Sequence, residues 1–167
     1  MKSLADFINE NKQVGVLYHH TTIDNLLKIL ESDILKVSYN HGTISFTRDK
    51  NAIKTIASEY PVRLEIDGDK LSNNYKIEPF QYDYSGTSLN GRKVRDEMEE
   101  QVFKDIKQLH KYIIVVNLYE NQSEDEISDF SENWWEEHFD IDYEENFNGL
   151  YELLVSNFKD IKFKNNK

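Results

Sequence analysis

The sequence predicts an α+β domain, and three observations carry that prediction. Short apolar runs, β-branched or alternating, stand at 14–19, 43–47, 62–67 and 112–118. Between the first two, Ile23, Leu26, Leu27 and Leu30 follow the i, i+3, i+4, i+7 spacing of a core-facing helix. The strand and helix patterns do not alternate regularly, which argues against a doubly wound parallel sheet. A chain of 167 residues is long enough for one domain with a real core.

The elements follow in order. Residues 2–12 suit a short helix with Leu4, Phe7 and Ile8 on one face. The strand at 14–19 runs into the polar cluster Tyr18-His19-His20-Thr21, after which Thr21 or Thr22 can cap the helix. Residues 43–47 form a second strand, and 51–58 a short helix with Ile53, Ile56 and Ala57 inward. Val62, Leu64 and Ile66 alternate, giving a third strand at 62–67 that ends in an Asp67-Gly68 turn. Residues 72–95 are polar, contain Gly86 and Gly91, and read as a long loop.

From 94 to 110 two readings stand side by side. Val94, Met98, Val102, Ile106 and Leu109 fit a helix, while 99–103 equally fits a short strand. Residues 112–118 (YIIVVNL) form a buried strand. Helix is expected around Trp134-Trp135 and again at 150–155, with a final strand at 158–163 before a basic, Asn-rich end.

Composition narrows the function classes. The absence of cysteine excludes a disulfide scaffold, a thiolate metal site and a cysteine nucleophile. No apolar run reaches the length of a membrane span, and the first twelve residues, MKSLADFINENK, lack a signal-peptide core. A cytoplasmic protein with no membrane partner is therefore expected. The formal net charge is −11, but residues 119–158 alone hold thirteen Asp and Glu and no Lys or Arg. The remainder, with 18 acidic and 20 basic residues, is slightly positive.

The phosphate-loop, dinucleotide-fingerprint, zinc-protease and nucleophile-elbow motifs are all missing. His19 and His20 are adjacent, so on a strand they point to opposite faces, and no metal site is expected. Three constellations remain. Tyr18-His19-His20-Thr21 lies at a strand–helix junction, where a neutral imidazole can bond a ribose hydroxyl or a carboxamide; equally, one His is buried and the other solvated. Ser45-Phe46-Thr47-Arg48-Asp49 puts two hydroxyls on one strand face ahead of an Arg, which suits a polar anionic ligand or a surface Arg–Asp pair. Asp96-Glu97-Met98-Glu99-Glu100 places four carboxylates in five positions, a source of a base or a cation stabiliser, or simply an acidic helix start.

Taken in this order, LYHHT at 17–21, ISFTRD at 44–49 and DEMEEQVF at 96–103 resemble the ADP-ribosyltransferase superfamily over roughly residues 14–118. The layout looks like its DNA-base-modifying branch and like small bacteriophage-encoded relatives. In that superfamily a first strand carries His or Arg, a second carries hydroxyl or aromatic residues, and a third begins with a catalytic Glu. The resemblance implies a split mixed sheet with short flanking helices, with the acidic, partly helical segment 119–158 as an addition within one domain spanning 1–167. It implies NAD as a substrate and a glycosyl-transfer reaction that hands ADP-ribose to a protein or nucleic-acid acceptor. His19 would contact the dinucleotide with support from Thr21; Ser45, Thr47 and Arg48 would line its pocket. Glu100 would be the catalytic carboxylate, with Glu99 as the alternative, because a one-residue slip reverses the strand face. His20 departs from the pattern, since many members carry Gly there. The RNA-phosphotransferase branch needs several basic residues, for which Arg48, Arg92, Lys93 and Arg95 are the main candidates.

The acidic segment supports a different class of function. Phe130, Trp134, Trp135, Phe139, Tyr143, Phe147 and Tyr151 are interleaved with the carboxylates. Such a surface can dock on a basic partner, as in a DNA mimic or a phage inhibitor of host defence acting in the host cytoplasm. The alternative is that the aromatics serve the core and the carboxylates face water.

Overall fold

The structure, a computed structural model, describes residues 14–50, 60–79, 99–120 and 147–166. The chain order is β1 (Val16–Thr21), α1 (Ile23–Ser32), β2 (Ile34–Leu35), β3 (Ile44–Thr47), β4 (Val62–Asp67) and α2 (Gly68–Ser72). It continues with β5 (Glu78–Pro79), β6 (Glu99–Val102), β7 (Ile106–Lys107), a 3-10 turn (Leu109–Lys111), β8 (Ile113–Tyr119), α3 (Phe147–Asn157) and β9 (Phe163–Asn166). The expected helices at 2–12, 51–58 and around Trp134 lie outside the described residues.

Seven strands form one sheet in the order β5-β6-β3-β1-β4-β8-β9, and β2 and β7 pair separately. Only the β8–β9 pair is parallel among these, with α3 in the crossover between them. The fold is α+β with a mixed sheet.

The central pairs are long. β1 and β4 share six register positions, from Val16↔Asp67 to Thr21↔Val62. β1 and β3, by contrast, share a single one, Tyr18↔Thr47. The sheet therefore has a seam: β5, β6 and β3 on one side, β1, β4, β8 and β9 on the other.

One face of the sheet carries Leu17, Phe46, Leu64, Ile66, Val102 and Val116, all buried in one cluster with the helices. α1 supplies Ile23, Leu26, Leu27, Ile29 and Leu30, the stripe its spacing predicts plus one position. Thr22 is the cap: its hydroxyl oxygen accepts from the Asn25 amide at 3.2 Å, relieving one of the unpaired donors at the helix start. α3 adds Phe147, Leu150, Leu153 and Leu154. Phe147, counted among the aromatics of the acidic segment, thus belongs to the core.

Several expectations are corrected. The first strand starts two residues later than read, at Val16. Asp67-Gly68 is not a hairpin turn. Asp67 caps α2, its carboxylate accepting from the Lys70 amide at 2.9 Å, and Gly68 donates to the Gly15 carbonyl at 2.9 Å. A Cβ at position 68 would stand 2.5 Å from that carbonyl oxygen, so only glycine permits the approach. The 72–95 loop contains an edge strand, β5, within its described part. At 99–103 the strand reading wins, because β6 pairs with β3, and β7, a strand that periodicity did not offer, pairs with β2. The last strand is not 158–163 but Phe163–Asn166, most of it polar and held by pairing to β8.

Candidate functional site

β1, β3 and β6 bring two of the expected residues, His19 and Glu100, to either side of Phe46. The His19 ring lies against Phe46, centroid to centroid 5.7 Å, and Phe46 stands in register with Glu100. His19, Phe46 and Glu100 thus form a row across three neighbouring strands, spanning the seam. Thr21, two residues along β1 from His19, is buried on the same face.

Glu100 is 6% exposed. A carboxylate so buried needs a compensating partner, and Arg48 provides it: Nη2 stands 2.7 Å from Oε1. Arg48 follows the last residue of β3 and keeps more than a third of its side chain in solvent. The pair therefore joins the buried row to the surface.

His19 Nδ1 stands 2.9 Å from the Ser45 carbonyl oxygen. A carbonyl only accepts, so Nδ1 carries the proton and Nε2 is the ring's acceptor. The bond crosses the seam where the strand ladder has parted. Burial pushes the His19 pKa below its usual value, outweighing the Ser45 carbonyl, which acts the other way. The ring is neutral at neutral pH.

His20 faces the other side of β1. Both of its ring nitrogens are buried without a hydrogen-bond partner among the described residues. Burial, followed by the neighbouring His19 and Arg63, lowers its pKa from 6.5 to about 4.

The remaining predicted residues do not join the row through their side chains. Ser45 and Thr47 stand in register with Gln101 and Glu99, one residue out of phase with Phe46 and Glu100, so strand alternation sends their side chains to the opposite face. Ser45 reaches His19 by its carbonyl, not its hydroxyl. The Thr47 hydroxyl oxygen accepts from the Asp49 amide at 3.0 Å and shapes the bend that carries Arg48. Position 99 is in register with Thr47, so of the two candidate carboxylates only position 100 shares the register of Phe46. Phe46 is the residue that sequence reasoning left without a role; its place between two polar neighbours was the available signal. Among the described residues no group of three or more His, Asp or Glu could hold a metal ion. Arg92, Lys93 and Arg95 lie outside the described residues.

Chemically, the row offers a neutral imidazole acceptor, an aromatic wall, a buried carboxylate and a half-exposed guanidinium. Phe46 and Glu100 are enclosed on the core face and the carboxylate is paired with Arg48, so Arg48 is the member of the set that reaches solvent.

Comparison of the chain with protein families, with curated proteins and with solved structures finds no match.

Proposed function

We propose that this chain binds NAD at the His19–Phe46–Glu100 row and transfers ADP-ribose to an acceptor. The observation that supports this most is the alignment of His19, Phe46 and Glu100 on three adjacent strands, with Arg48 on the Glu100 carboxylate. The resemblance to ADP-ribosyltransferases names His19, Arg48 and Glu100 for this role, whereas Ser45 and Thr47, which it also names, face the other side of the sheet.

The reaction asks for charge stabilisation. When the bond between the ribose C1′ and the nicotinamide nitrogen breaks, its electron pair leaves with nicotinamide. The sugar keeps the positive charge on C1′ and its ring oxygen. Glu100, in a site of low polarity, stabilises that charge and accepts a hydrogen bond from a ribose hydroxyl. His19 Nε2 accepts from a second hydroxyl, and Arg48 meets the diphosphate. The acceptor nucleophile then bonds to C1′ and releases its proton to solvent.

The test is calorimetric titration with NAD and with ADP-ribose, run beside a nicotinamide-release assay on wild type and Glu100→Gln. Binding with release that is lost in the variant supports the transferase. Full activity in Glu100→Gln sinks the assignment of Glu100.

The charge pattern favours one second reading. With thirteen carboxylates in 119–158, the chain can act as a non-enzymatic interaction protein, its ADP-ribose pocket kept for binding alone or lost. Its sign is salt-sensitive binding to a basic protein without nicotinamide release. Unchanged affinity after neutralising the carboxylates around Trp134 and Trp135 counts against it.

A further inference from the structure

On the sheet face opposite Glu100, a cleft of about 550 Å³ is lined by Arg63, Glu65, Asn117, Lys162 and Lys164, with Lys50 at its side. The size falls within the range of small-ligand clefts. Its charge runs against that of the chain: four cations face one carboxylate, whereas the whole sequence carries −11. None of the three lysines makes an ion pair among the described residues.

Arg63 is the floor. Its side chain is 6% exposed, and the guanidinium lies 5.3 Å from the Tyr18 ring centre and 5.6 Å from that of Tyr119. Nη2 reaches Glu65 Oε1 at 2.8 Å, and the same oxygen accepts from Asn117 Nδ2 at 3.0 Å. Arg63 Nε is buried with no acceptor among the described residues. One carboxylate oxygen thus serves two donors while a third donor goes without. The cleft has a surplus of positive charge, four cations to one carboxylate. A buried guanidinium between two aromatic rings is held rigid, so little entropy is lost when an anion meets it.

We infer that this cleft binds a phosphate-bearing small molecule, with Lys162 and Lys164 on its anionic group and Arg63 supplying fixed positive charge from below. A phosphate brings the negative charge that the cleft lacks. A polynucleotide fits less well, because the net charge of −11 repels a long polyanion. The site is independent of the NAD reading, since strand alternation separates Arg63 from Glu100 by the thickness of the sheet.

The probe is inorganic pyrophosphate, titrated into the full chain in phosphate-free buffer at low salt and followed by calorimetry. The comparison proteins are Lys162→Glu/Lys164→Glu, whose changed side chains are exposed, and Arg48→Met, which removes the cation beside Glu100. Saturable binding that weakens as salt rises, falls about tenfold or more in the double variant and is unchanged in Arg48→Met is the expected result. Absence of saturable binding at millimolar pyrophosphate overturns the proposal, as does equal affinity in the double variant. Loss of binding in Arg48→Met overturns it too, by placing the anion on the other face, beside Glu100. A single-stranded oligonucleotide binding more tightly than pyrophosphate overturns the small-ligand assignment.

Discussion

Arg48 Nη2 lies 2.7 Å from Oε1 of Glu100, and this contact joins a half-exposed cation to a carboxylate that is otherwise enclosed. The two residues are therefore expected to respond differently to substitution. Arg48→Met leaves a buried carboxylate uncompensated and should lower stability by about 2 kcal/mol. Glu100→Gln keeps the volume and an acceptor oxygen and should cost about half as much. The double variant should recover part of the loss, and urea midpoints of all four proteins give the coupling. If the site turns over NAD, Glu100→Gln removes nicotinamide release, whereas Arg48→Met acts chiefly on KM.

The imidazole of His20, whose buried nitrogens have no partner among the described residues, predicts an acid-sensitive fold. Its folded pKa, about 4, lies below its ordinary value of 6.5. Between these two values the unfolded chain takes up a proton that the fold excludes. The stability of the neutral form is complete above pH 6.5 and is lost as pH falls towards 4. By pH 5 this one group should cost about 2 kcal/mol relative to pH 8. His20→Phe should remove that portion of the slope. Urea unfolding of both proteins at the two pH values checks it, and an equal loss in the variant assigns the acid sensitivity elsewhere.

Gly68→Ala should be costly, despite its position at the start of a helix. The new Cβ would meet the Gly15 carbonyl at 2.5 Å and Val14 Cγ1 at 2.8 Å. Either the contact stays, or the Gly68–Gly15 hydrogen bond breaks. A loss of about 2 to 3 kcal/mol is expected by thermal or urea denaturation.

The parts of the fold that were legible in the sequence share a cause. α1 could be read because Ile23, Leu26, Leu27 and Leu30 serve one period only, and β4 because Val62, Leu64 and Ile66 serve the other. β6 was ambiguous and β7 hidden because Val102, Ile106 and Leu109 fit a helix spacing, and what decides them is the open edges of β3 and β2. β9 was invisible: Phe163 is its only apolar residue, and its strand conformation comes from β8. In the same way, the alternation in β4 marks Arg63 and Glu65 as the solvent face, yet Arg63 is buried there, flanked by tyrosines from β1 and β8. Of the candidate site, the naming of His19, Arg48 and Glu100 rests on the resemblance to ADP-ribosyltransferases, not on periodicity or charge. That Ser45 would contribute a carbonyl, and Phe46 the bridging ring, depends on how two strands diverge, which periodicity does not encode.

The single register position between β1 and β3 has a consequence for how the molecule breathes. Strands β5, β6 and β3 form a leaf hinged to the larger slab through Tyr18↔Thr47 and the His19–Ser45 bond. Sub-global opening should follow that hinge, so amides of Ile44–Thr47 and Glu99–Val102 should exchange with deuterium earlier than those of Val62–Asp67 and Ile113–Tyr119. A ligand spanning His19 and Glu100 would act as a staple across the leaf, and saturating NAD should slow exchange in β3 and β6 while leaving the slab unchanged.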